Sequence, residues 1–243
     1  MKRVLFFFML IPLFTACNDN DPDYSLDKFV TDLVTIENPD QATTFFMRTD
    51  DSTRLWTAAT NLKYYRPKNG QRVIANYTLL SDKPDSAAYD HDVKLNDVYE
   101  VLTKGIFNVT AATQDSIGND NVYIEDMWIG SHFLNVEFVY PGGHKMHFIN
   151  LVSDTSKVYN DGKIHLEFRH NANNDYPTYN RWGLVSFNLK SLETQAADTL
   201  SIVVHTKEFD MGEKTYNFTY RYGSAPAGAP RTFRIPALKA LVE

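Results

Sequence analysis

Cysteine is nearly absent: Cys17 is the one cysteine in 243 residues. That excludes an intrachain disulfide and every zinc site built on two or more thiolates. Long apolar runs are scarce as well. The longest, residues 4–14, holds 11 residues, about half of the ~20 that a membrane-crossing helix needs. Glycine patterns for phosphates or dinucleotides, a Gly-x-Ser-x-Gly elbow and a His-Glu-x-x-His helix are all lacking, so no motif-borne nucleotide, acyl-transfer or metalloprotease chemistry is in evidence. Basic charge is in the minority, with 24 Lys and Arg against 30 Asp and Glu. This balance argues against a nucleic-acid partner, whose affinity rests on neutralising phosphates. No cofactor and no metal are expected.

What is present begins with an export signal. Lys2 and Arg3 precede the apolar run, and the small residue Ala16 stands before Cys17. This is the layout of a secretory signal peptide over residues 1–16, and its end resembles a bacterial lipobox. Phe14 departs from that pattern, which bears on processing efficiency. A lone exported cysteine at the cleavage point is most simply explained by acylation, so Cys17 is the expected lipid attachment and the membrane is the expected partner through that anchor. Two or more acyl chains would hold the chain stably there. Loss of Lys2 and Arg3 leaves the mature chain two charges more negative than the formal −6. Residues 17–28 carry Asp19, Asp21, Asp23 and Asp27 with little apolar content, and read as an acidic tether.

The remainder reads as all-β: a small barrel over 29–112 followed by an antiparallel β-sandwich over 113–243. The aromatic content and scattered Thr and Val suit strands. In 65–80, Asn69-Gly70 turns into a strand whose Val73, Ala75, Tyr77 and Leu79 share a face. About five such strands precede the turn-rich segment 110–121. About seven follow. Leu134, Val136, Phe138 and Tyr140 share a face before a Pro141-Gly142-Gly143 turn, and 144–152 reads as the next strand. Asp161-Gly162 and Asp210-Met211-Gly212-Glu213 mark hairpins.

Two segments could carry chemistry. In 165–179, alternation turns Ile164, Leu166 and Phe168 one way, with His165, Glu167 and Arg169 the other way. Glu167 and Arg169 suit a surface ion pair. The Asn-rich stretch that follows tolerates left-handed backbone and reads as a structured loop, with His170, Asn171, Asn173, Asn174, Asp175 and Tyr176 as candidate ligand contacts. In 61–72, Lys63, Arg66, Lys68 and Arg72 interleave with Tyr64 and Tyr65, either a solvated strand and turn or a basic–aromatic patch for a glycan or anionic surface. His144 and His147, an odd number apart on one strand, should face opposite ways, as should His165 and His170; this speaks against a shared metal among His132, His144, His147, His165 and His170.

The segments 127–140, 165–177 and 183–189, preceded by 115–120, resemble the NigD-like lipoproteins of Bacteroidetes. The pattern Trp128-x-Gly130-x-x-x-Leu134-Asn135 and the run Phe168-Arg169-His170-Asn171 carry the likeness, and 69–80 and 93–106 resemble that family's first domain. The resemblance implies an OB-like domain, an immunoglobulin-like sandwich and a lipid anchor in the outer membrane. The acidic tether resembles the surface-export signal of such lipoproteins. No reaction comes with the family. The expected role is thus a non-enzymatic outer-membrane or cell-surface lipoprotein presenting surfaces to a protein or glycan. One alternative is immunity-like capture of a bacteriocin or toxin. Another is an envelope-glycan hydrolase drawing a carboxylate pair from Glu125, Asp126, Glu137, Glu167 and Asp175.

Overall fold

The computed structural model describes residues 29–41, 44–82, 88–110 and 112–222. Cys17, the signal peptide and the acidic tether lie outside the described residues. Five strands close the first unit: β1 (Val30–Gln41), β2 (Thr44–Thr49), β3 (Arg54–Thr60), β4 (Arg72–Asp82) and β5 (His91–Glu100). Their order around the barrel is β1-β2-β3-β5-β4. Pleating turns alternate residues inward, so Val73, Ala75 and Tyr77 of β4 join Val34, Ile36, Phe45, Met47, Leu55, Val93 and Leu95 in one core, with Leu79 packed against it. Gly70 takes φ +77° at the turn before β4, a backbone conformation that glycine adopts without steric cost.

The second unit is a sandwich, with strands β6 (Leu102–Lys104), β7 (Ile106–Val109), β8 (Tyr123–Gly130), β9 (Phe133–Gly142), β10 (Phe148–Asp154), β11 (Ile164–Asn171), β12 (Tyr179–Asn188), β13 (Thr199–Glu208) and β14 (Gly212–Arg221). A single-turn helix, α1 (Gln114–Ile117), lies between β7 and β8. One sheet runs β14-β13-β11-β10-β7 and the other β6-β12-β9-β8. Leu134, Val136 and Phe138 of β9 meet Leu166 and Phe168 of β11 in the core between the sheets.

Four sequence expectations need correction here. The boundary drawn at 112/113 falls after two strands that pair within the sandwich: Leu102–Lys104 joins β12 and Ile106–Val109 joins β10. One short run thus serves both sheets, switching at Gly105, as strands do at sandwich corners. The sandwich is not wholly antiparallel, because β6–β12, β7–β10 and β11–β13 pair in parallel. The expected turn at 141–143 begins later, since Pro141 and Gly142 continue β9 opposite Asn180 and Tyr179. Strand β10 starts only at Phe148, so His144 and His147 lie on an irregular segment before it.

The barrel sits on the outer face of the four-stranded sheet. Leu33 and Ile74, on the outside of the barrel, pack with Val101, Trp128 and Leu184 in a separate apolar cluster. At its edge Arg72 is fully buried. Its Nη1 lies 2.8 Å from Asp50 Oδ1, and Nη2 donates to Asn135 Oδ1 at 3.2 Å. The Asn135 amide in turn donates to Asp50, while Ser186 Oγ donates to Asn135 Oδ1 at 2.7 Å. A Cβ on Gly130 would overlap the Asp50 carboxylate. The motif Trp128-x-Gly130-x-x-x-Leu134-Asn135 is therefore a joint: an indole against the barrel, a gap for Asp50, a core leucine and an amide that binds both halves of the ion pair.

Candidate functional site

The basic–aromatic patch does not hold together. Arg72 belongs to the joint and is closed to solvent, because the second domain covers the outward face of β4. Tyr65 is half-buried against the barrel core and donates to Gln71 Oε1 at 3.1 Å. Lys63, Tyr64, Arg66 and Lys68 remain exposed, and Arg66 donates to the carbonyls of Lys63 and Tyr65.

The Asn-rich loop is structured as expected, with Asn173 and Asn174 at φ 53° and 52°. Its chemistry points inward. Asp175 accepts the backbone N–H groups of Gly143 and His144. His147 Nε2 lies 3.1 Å from Asp175 Oδ2, and His147 Nδ1 lies 2.7 Å from His170 Nε2. His170 Nδ1 reaches the Asn121 carbonyl at 3.3 Å. The contacts pass from carbonyl through two rings to carboxylate. Two neutral imidazoles carry two ring protons, enough to donate in two of these three contacts. Burial alone would raise Asp175, but the amides and His147 hold it well below the usual carboxylate range. Lys145 completes the clasp by donating to the carbonyls of Asn173 and Asn174. His170 and Asp175 are thus buried fasteners, Asn171 is half-buried, and Asn173, Asn174 and Tyr176 face solvent. The pairing of His147 with His170 escapes strand-parity reasoning, since it joins neighbouring segments rather than residues of one strand.

Burial, followed by the neighbouring His147, pushes His170 below its ordinary value of 6.5. The unfolded chain therefore binds the proton more readily, so this stabilisation is complete above pH 6.5 and is lost as pH falls through the lower folded value. His205 is shifted in the same direction by burial and by His165. Urea midpoints are expected to fall between about pH 7 and pH 5, and His170→Gln should flatten the fall without abolishing it. An unchanged slope in the variant would show that the clasp does not titrate.

A second arrangement lies on the outer face of the five-stranded sheet, on the far side of the sandwich from the barrel. A cavity of about 380 Å³ opens there. Its floor is Glu167 and Arg169 of β11 with His205 and Lys207 of β13, and its walls are Gln114, Asn119, Lys157 and Tyr159. The Glu167–Arg169 pair exists, but it is not the surface pair that alternation suggested: the residues are 9% and 5% exposed because the 155–163 segment folds over them. Arg169 Nε donates to Glu167 Oε2 at 2.7 Å, and Lys157 Nζ donates to Oε1 at 2.5 Å. Burial raises Glu167, but the two cations outweigh it and hold the carboxyl below its ordinary value. Tyr159 stacks on His165 at 3.6 Å with the rings 2° from parallel. His165 is fixed in turn by His205 at 2.9 Å and Asp161 at 3.0 Å.

Of the nominated carboxylates, Asp126 and Glu137 stand opposite one another in the register of β8 and β9. Glu167 is shared by two cations and Asp175 is in the clasp, while Glu137 accepts the Trp182 indole N–H at 2.7 Å. Glu125 is exposed, and Asp126 accepts the Met127 amide.

An OB barrel fastened to a β-sandwich with a polar cavity on its far face defines a two-domain β protein. The chain matches the NigD-like N-terminal OB domain over residues 33–101 and the NigD-like C-terminal β-sandwich domain over 105–220, and it belongs to that family. A toxin-related protein of Parabacteroides distasonis is 35% identical, with 80% of this chain and 94% of that one aligned at TM-score 0.70. A Bacteroides vulgatus protein of unknown function is 29% identical over 79% and 91% of the two chains, also at TM-score 0.70. A NigD-like immunity protein of Bacteroides caccae shares the fold at 19% identity, 83% and 98% coverage and TM-score 0.61. No functionally curated protein matches.

Proposed function

We propose that the chain is an exported, lipid-anchored binding protein of the outer membrane, without catalysis of its own, that takes a small polar ligand in the cavity over β11 and β13. The observation that carries this reading is the prearranged floor: Glu167 held between Lys157 and Arg169, beside a tyrosine already stacked on a fixed histidine. Groups fixed before binding do not have to be ordered by the ligand, which removes a main cost of association. The volume of about 380 Å³ falls at the small end of ligand sites. The anchor rests on Ala16-Cys17 and the run before it.

Thermal unfolding of residues 18–243 with a library of small polar metabolites and oligosaccharides tests the reading. A binder at a hundred times its Kd should stabilise the fold by about 2.7 kcal/mol. A library-wide absence of any stabilisation would count against the cavity as a binding site. Capture of a secreted toxin is the second reading, favoured by the immunity and toxin-related descriptions of two structural neighbours. It predicts that deletion exposes the cell to a toxin against which the intact chain protects.

A further inference from the structure

Resting on the binding role just proposed, we infer that the cavity over β11 and β13 takes a neutral saccharide of one or two sugar rings. Charge balance is the first reason. Lys157, Arg169 and Lys207 face Glu167 and Glu213 around the cavity, and Asp154 lies behind it, 3.7 Å from Lys157 Nζ. The cations and carboxylates cancel, so neither a net anion nor a net cation gains from entering. A ligand without charge loses least on leaving water.

Hydrogen-bonding capacity is the second reason. Gln114 and Asn119 line the wall beside the paired charged groups, the Gln114 amide donating to Asp154 Oδ2 at 3.1 Å and the Asn119 carbonyl accepting from Lys207 at 3.1 Å. Such a lining offers donors and acceptors side by side, which is what adjacent sugar hydroxyls require, since each both donates and accepts. Groups already paired to one another also keep fixed directions, and charge-assisted bonds from them are stronger than neutral ones.

The third reason is Tyr159. Its ring is 40% exposed at the cavity wall while stacked on His165. The negative face of an aromatic ring favours the weakly positive C–H edge of a sugar ring, and the His205–His165–Asp161 chain holds this platform in place. A dipeptide would bring a separated positive and negative end. Here the matching groups are already engaged with each other, which disfavours it.

The test applies residues 18–243 to an array carrying neutral hexose, deoxyhexose and N-acetylhexosamine oligosaccharides beside uronate-bearing and sialylated ones, with the dipeptide Ala-Ala measured in solution. A neutral oligosaccharide is expected to bind. Tyr159→Ala and Asn119→Ala should each weaken it about tenfold, the size of losing one well-placed contact, with the folded circular-dichroism spectrum retained. Preference for the uronate, the sialylated glycans or the dipeptide overturns the neutral-saccharide assignment and leaves the cavity as a binding site. Binding of a neutral glycan that neither substitution weakens places it elsewhere and overturns the inference. Absence of binding by every probe overturns it too, and if no ligand in the thermal library stabilises the fold either, the cavity reading falls with it.

Discussion

Arg72→Leu is expected to lower the unfolding free energy by about 3–5 kcal/mol, the cost of breaking a buried ion pair by removing one partner. Arg72 is fully buried, and Asp50 is only 17% exposed at its side chain. Without the guanidinium, the Asp50 carboxylate keeps only weak donors, the Trp128 indole and the Asn135 amide, each at 3.4 Å. Asn135 Oδ1 also loses one of its two donors. Removing both charges should be gentler than removing one, because no unpaired ion then stays behind. Arg72→Leu with Asp50→Leu is therefore expected to recover a substantial part of the loss. Urea denaturation of the two single variants and the double variant checks this. A single-variant loss below about 1 kcal/mol, the range of surface pairs, would mean that the pair does not hold barrel to sandwich.

Arg169→Met is expected to cost about 2–3 kcal/mol, less than the joint variant although the chemistry is alike. The difference lies in what remains. Glu167 keeps Lys157 at 2.5 Å, and the pair borders the open cavity on one side. Lys157→Gln removes the outer cation, which is 44% exposed, and should cost under about 1 kcal/mol. The order of the two variants is what matters. If Lys157→Gln proved the more damaging, the floor would be held from the loop and not from the sheet.

Much of this architecture was readable from side-chain alternation. Val73, Ala75 and Tyr77 in the barrel and Leu134, Val136 and Phe138 in the sandwich are the inward rows that period two demands. Asn173 and Asn174 take the left-handed conformations their side chains tolerate. Alternation says which side of a strand a residue takes, but not what covers that side. Arg72 follows the outward row of β4 with Ile74, and only the sandwich resting there makes that row a buried joint. Glu167 and Arg169 likewise face outward correctly, beneath a segment whose path local pattern could not reveal. The histidine pairs were out of reach for another reason. His147–His170 and His165–His205 arise from the register of β11 with the segment before β10 and with β13, across 23 and 40 residues of sequence. Leu33 and Ile74, apolar on outward faces, were local hints that another surface packs there.

The family signatures can now be assigned physical work. Trp128, Gly130 and Asn135 build the joint. In the second signature, Phe168 fills the core, Arg169 fixes the cavity floor, and His170 anchors the clasp. Asn171 lies against Gly118, where a Cβ would sit 2.6 Å from it and where φ is +75°. None of these residues needs a reaction to explain it. They fasten the joint, the sandwich core, the cavity floor and the clasp.

On the proposed function, ligand enters over β11 and β13, and not at the 61–70 segment or the Asn-rich loop. Amide NMR spectra of residues 18–243, titrated with a polar fragment library, test it most directly. Shifts are expected to centre on Lys157, Tyr159, Glu167, His205 and Lys207, with little change at Tyr64 or Tyr176. Shifts gathered at Lys63 to Lys68 or at Asn173 to Tyr176, with the cavity silent, would contradict it.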